Sequence, residues 1–149
     1  MRFAGSLTGR GRAVRCFALS AMILGLSGVA KADNACVLGA WMLRGSYMFA
    51  ANGYTIVNGV PQPKAIVEVI VFNGDGTLTT PAFSRSANGV VSRAAPGAPG
   101  TYTVDTSCTG TISFSSGQLF DIYVSPKGDT IWMIQANPDT VLQGTATRQ

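Results

Sequence analysis

The sequence predicts an all-β protein, an antiparallel meander closing into a small barrel of about eight strands, with a β-sandwich as the alternative. Three observations point there. No window after Asp33 keeps apolar residues at the three-and-four spacing of a helix; alternation and short apolar runs dominate instead. Turn pairs cut the chain at short intervals, and Asn-Gly occurs at Asn52-Gly53, Asn58-Gly59, Asn73-Gly74 and Asn88-Gly89. Both residues tolerate the positive φ of a tight hairpin turn. The intervals are also too short for crossover helices, so neighbouring strands must run antiparallel.

Ten segments between these marks are rich in Val, Ile, Thr, Phe and Tyr, which suit a pleated, half-buried surface. They are Arg44–Ala50, Tyr54–Val57, Ala65–Phe72, Thr77–Arg85, Val90–Ala94, Thr101–Asp105, Thr109–Phe114, Leu119–Ser125, Thr130–Ala136 and Val141–Arg148. Pro61-Gln62-Pro63 and Pro96-Gly97-Ala98-Pro99-Gly100 read as longer, stiffer loops between them. So many strands edge to edge in one small chain must curl. A meander closes on itself, whereas a sandwich usually needs long crossing connections.

The first 32 residues read as an export signal. Arg2, Arg10, Arg12 and Arg15 form a basic head with no acidic residue among them, an apolar run follows from Phe17 to Ala30, and Ala30-Lys31-Ala32 supplies small residues for cleavage. The apolar run is shorter than the ~20 residues of a membrane-crossing helix, so the expectation is a signal peptide over 1–32 and one domain over 33–149, with no membrane span in the mature chain. Trimming reverses the charge. The whole chain carries +4, but residues 33–149 keep six basic side chains against seven acidic ones, a formal charge of −1. No basic stripe remains for phosphates, so nucleic acid is not expected as a partner.

Composition excludes more. The 149-residue chain has no histidine, which removes a Ser-His-Asp triad, a Cys-His pair, a histidine zinc site and a histidine general base. Cys16 falls within the signal, leaving Cys36 and Cys108 as an even pair for an oxidising, periplasmic or extracellular compartment. A bridge between them is expected; two free thiols, or Cys36 as a lipid-attachment site, are the alternatives. No sequence feature implies a cofactor. Asn73-Gly74-Asp75-Gly76 lacks the third acidic ligand and distal glutamate of a calcium loop, and no metal site is expected.

Several stretches form a distinctive series: Phe72-Asn73-Gly74-Asp75-Gly76-Thr77, Gly100-Thr101-Tyr102-Thr103-Val104-Asp105, Cys108-Thr109-Gly110-Thr111 and Phe120-Asp121-Ile122-Tyr123-Val124. Together they resemble small secreted microbial proteins of the allene oxide cyclase barrel-like family, among the calycin-like barrels. The likeness spans Arg44 to Arg148. The resemblance implies an eight-stranded antiparallel barrel. It brings no catalytic residue, because no catalytic motif of the plant cyclases falls on positions of this sequence, and a shared barrel does not confer a shared reaction.

Glu68 is the candidate catalytic residue. In Ala65-Ile66-Val67-Glu68-Val69-Ile70-Val71-Phe72 it is the one polar side chain, placed by alternation on a face with Ile66, Ile70 and Phe72. A carboxylate buried there without a partner takes up a proton or costs several kcal/mol, and such groups are where acid–base chemistry is found. The structural alternatives are pairing with Arg44, Arg85 or Arg148, or a place near the barrel rim. Asp121 reads as a surface charge opposite Phe120, Ile122 and Val124, and Trp41, Trp132, Met42 and Met133 read as core. The expected function is binding of a small apolar ligand or a protein partner. An isomerase or cyclase working on a hydrophobic substrate inside the barrel, and a surface or matrix interaction protein, are the alternatives.

Overall fold

In a computed structural model of the chain, residues 36–149 are described; the export signal expected over 1–32 lies outside them. Nine strands follow a short 3-10 turn, Gly39–Met42: β1 Arg44–Val57, β2 Val60–Asn73, β3 Thr77–Ala87, β4 Val90–Ala94, β5 Gly100–Val104, β6 Thr109–Phe114, β7 Leu119–Val124, β8 Thr130–Gln135 and β9 Thr140–Arg148. Every pairing is antiparallel. The order β2-β1-β9-β8-β7-β6-β5-β3, closed by β2 against β3, is an eight-stranded barrel; β4 adds to β3 outside the ring. Closure removes the edges that an open sheet of this length would leave. The sandwich alternative is therefore set aside.

Three of the four Asn-Gly pairs mark the junctions between strands. Asn58-Gly59 and Asn88-Gly89 join two-residue hairpins with both residues at positive φ, as a type I′ turn requires, and Gly74 bends the chain from β2 to β3 with φ 85°. The fourth is a correction. Asn52-Gly53 lies inside β1, merging two expected strands into one of 14 residues. Gly53 serves close approach: a Cβ there would run into the Val141 carbonyl oxygen of β9. Gly53→Ala is expected to cost about 1–3 kcal/mol, seen as a lower urea midpoint at unchanged slope.

Pro61 and Pro63 also correct the sequence reading, because they belong to β2 and not to a loop. Beside the two-residue turn, Val57 and Val60 make a hydrogen-bonded pair, so Pro61 opposite Ile56 and Pro63 opposite Tyr54 fall at positions whose N–H points away from β1. On that side β3 begins pairing only at Lys64, so no ladder bond is lost. Pro81 lies in β3 where the register against β2 shifts, between the Val69–Ala82 and Val71–Thr79 pairs.

Alternation sends Tyr47, Phe49, Ile70, Phe72, Tyr102, Ile112, Phe120, Ile122, Ile131, Met133 and Leu142 into the interior, where they form one apolar core. Edge-to-face aromatic contacts divide it into two groups: Tyr47–Phe72–Tyr102 at centroid distances of 5.1 and 4.9 Å, and Phe49–Phe120–Phe114 at 5.8 and 5.9 Å. The first group lies under a plugged end, the second under an open one.

Candidate functional site

The open end follows from how β3 is paired. Its first residues, Thr77 and Leu78, pair with β5, but its far half, Phe83–Ala87, pairs with β4. The barrel seam between β3 and β5 is thus two residue pairs long, and beyond it the loop between β4 and β5 bridges the gap. That loop is fixed by Gly97 N–H donating to Thr80 O at 2.7 Å, Thr80 Oγ1 donating to Ala98 O at 2.7 Å, and Ser115 N–H donating to Pro99 O at 2.8 Å. Between this loop, β2, β3 and the β6–β7 turn lies a cleft of about 290 Å³.

The cleft combines apolar and charged side chains. Phe114 and Phe120 of the second aromatic group line it with Ile66, Phe83, Pro96 and Ala98, while Lys64, Glu68, Arg85, Ser116 and Gln118 supply polarity. Register explains the grouping. The inward alternation of β2 continues from Phe72 and Ile70 through Glu68 and Ile66 to Lys64, and β3 sets Phe83 opposite Glu68 and Arg85 opposite Ile66. Lys64 Nζ donates to Gln135 Oε1 at 3.3 Å, and Gln135 Nε2 donates to Asn137 Oδ1 at 2.9 Å, which ties the rim together.

Burial pushes the Glu68 carboxyl up to about 7, and it is the sole cause acting on that group. A salt bridge to an arginine would have pulled the other way. Burial, and then the repulsion of Arg85, hold Lys64 below the usual lysine range. Three ionisable side chains therefore share the cleft while Glu68 and Lys64 each remain in an unfavourable solvation state. Perturbation of this kind is characteristic of sites that await a ligand or move a proton.

The opposite end is closed. Cys36 is bonded to Cys108 with their Cα atoms 5.1 Å apart, so the expected bridge is formed. It brings the segment Cys36–Leu43 over the barrel, with Leu43 buried in the core. The Tyr102 hydroxyl accepts from Gly74 N–H at 3.0 Å and shares its own hydrogen between Leu43 O at 2.8 Å and Ala40 O at 2.9 Å. Arg148 donates to the Tyr47 hydroxyl through Nε at 3.0 Å and Nη2 at 2.7 Å and to Met42 O at 3.0 Å, while the Tyr47 hydroxyl donates to Gly128 O. Asp105 holds the bridge's other anchor. Its carboxylate accepts from Ser107 and Thr109 and is held at about 2 by those bonds, framing Cys108 at φ 66°.

Glu68 lines the cleft, below Ile66 and Lys64 along the inward row of β2, and of the three arginines considered for it only Arg85 shares that cleft. Arg148 belongs to the plugged end, and Arg44 lies over the Trp41 ring at 4.5 Å. Asp121 is exposed, opposite the buried Phe120, Ile122 and Val124, as its strand alternation requires. Met133 is core, but Trp41 and Trp132 are exposed, which corrects the reading of both as packed interior. Sequence reasoning missed Lys64, which follows the Pro61-Gln62-Pro63 segment read as a loop, and the aromatic lining Phe83, Phe114 and Phe120. For Lys64 a signal existed, since the alternation of β2 runs unbroken through it. Among the described residues, no group of three or more Cys, Asp or Glu could hold a metal ion. Compared with known protein families, curated proteins and solved structures, the chain gives no match.

Proposed function

We propose that this is an exported binding protein that takes one small apolar molecule into the open end of its barrel. The observation that carries this is a cleft lined by aromatic rings, with a half-buried carboxyl and two cationic side chains among them. Its volume lies at the lower limit of the roughly 300–1,000 Å³ common for small-molecule sites. The ligand's apolar body would cover Phe114 and Phe120, and its polar end would meet Lys64, Glu68 and Arg85. Export is supported by the Cys36–Cys108 bond, which persists in oxidising compartments. No helix among the described residues is long and apolar enough to cross a membrane. Membership of the allene oxide cyclase barrel-like family stays part of this proposal, and the eight-stranded ring is consistent with it.

Native mass spectrometry of protein from its own host is expected to show a co-purifying small molecule. A purified chain can be tested with anilinonaphthalene sulfonate, an apolar fluorophore carrying one anionic group. One probe per chain is expected, with affinity lowered about tenfold by Ser116→Trp, which fills the exposed mouth of the cleft, and unchanged by Trp132→Ala on the outer wall. Affinity is also expected to fall as pH rises through about 7, because Glu68 then becomes an anion beside the probe's own charge. Equal binding by Ser116→Trp would refute the cleft as the site.

A second reading, an isomerase or cyclase for a hydrophobic substrate, is favoured by one observation. A carboxyl titrating at about 7 can both take and return a proton near neutrality. In that case Glu68→Gln abolishes turnover and leaves binding in place; an unaffected rate removes Glu68 from the mechanism.

A further inference from the structure

On the outer wall, away from the cleft, Tyr123 of β7 and Trp132 of β8 are cross-strand partners, and they are 56% and 52% exposed. Their row continues sideways into small side chains: Trp132 faces Thr145 of β9, and Thr145 faces Ala50 of β1. The neighbouring row runs from Asp121 of β7, at its outer end, to Ile134, Gln143 and Asn52. A tall aromatic bank thus drops to a low floor edged by two amides and a hydroxyl, forming an open groove of about 540 Å³. No Lys, Arg, Asp or Glu lines it.

We propose that this groove binds a chain of neutral sugar rings. The C–H face of a sugar ring carries slight positive character and suits the negative face of an exposed indole or phenol. Sugar hydroxyls both donate and accept, as do the Asn52 and Gln143 amides and the Thr145 hydroxyl. The neutral lining, with Asp121 beside it, favours this occupant over an anionic one. An anionic membrane surface or a nucleic acid calls for clustered cations, which the groove lacks. Trp132 and Tyr123 are both exposed and neither belongs to the core.

The test is calorimetric titration of the intact chain with cellohexaose, chitohexaose and maltohexaose, together with fluorescence. The chain has two tryptophans, so Trp41→Phe leaves Trp132 as the reporter. Saturable binding of at least one oligosaccharide is expected, with a change in Trp132 emission. Trp132→Ala and Tyr123→Ala are each expected to lose about tenfold or more in affinity, with unaltered circular dichroism because both side chains lie outside the core. Glu68→Gln, in the cleft, is expected to bind the oligosaccharide as the parent does. Absence of saturation with all three, retention of full affinity by Trp132→Ala, or sedimentation with phosphatidylglycerol vesicles in place of sugar binding would each overturn the proposal.

Discussion

Replacing Glu68 by glutamine is expected to stabilise the protein at pH 8 by roughly 1–2 kcal/mol and to change little at pH 4. The sign follows from the direction of the shift. Burial raises the folded-state value to about 7 from the ordinary 4.5, so the folded protein binds a proton that the unfolded chain releases. Stability from that proton is fully present below 4.5 and is lost as pH climbs through about 7. Glutamine keeps the shape and removes the ionisation. The magnitude is set below what the whole shift would give, because the cleft is open to water. Asp75, Asp105 and Asp129 are shifted downward by local hydrogen bonds and lose their stabilising effect as pH falls, but they are common to both proteins and cancel in the difference. Urea denaturation of both proteins across this range measures it. Parallel pH profiles would mean that the Glu68 carboxyl is solvated like any surface glutamate.

Removing the Cys36–Cys108 bond, by Cys36→Ala with Cys108→Ala, is expected to cost about 4 kcal/mol. The linked residues are 72 positions apart, so the unfolded chain regains a large loop entropy. The effect should not stop at the bond. The plug covers Tyr102 and supplies Leu43 to the core, and one end of it is held by Cys36. Hydrogen exchange is therefore expected to rise first in Cys36–Leu43 and in the Asp105–Thr109 turn, while β7 and β8 stay protected. Uniform protection at unchanged stability would show that Tyr102 and Arg148 hold the plug without the bridge.

Most of the fold was legible because each strand carries its own alternation and most of the tight turns an Asn-Gly or Gly signal. Val90–Ala94 and Thr109–Phe114 fall where the sequence puts them. The glycine and proline misreadings share one physical cause: a residue's local preference was outweighed by what its place in the sheet required. Gly53 has turn chemistry, yet it is needed where β9 comes too close for a side chain. Pro61 and Pro63 cannot donate to a ladder, yet they lie where none is asked for. Trp132 looked like core because Ile131 and Met133 are, although in a strand those neighbours point the opposite way. The cleft was half legible. Glu68 stood out as one carboxyl among apolar residues, but its companions Phe83, Arg85, Phe114 and Phe120 come from other strands. What joins them is the divergence of β3 from β5, a matter of long-range register that no single segment encodes.

The most direct measurement on the cleft is a pH titration of the Glu68 side-chain carboxyl by carbon-detected NMR of the labelled, ligand-free protein. The expected midpoint is about 7, with Asp105 near 2 in the same spectra as an internal contrast. A Glu68 midpoint at the ordinary 4.5 would contradict it: the carboxyl would then be hydrated or paired, and the open end of the barrel would be a surface dent and not a desolvated binding site.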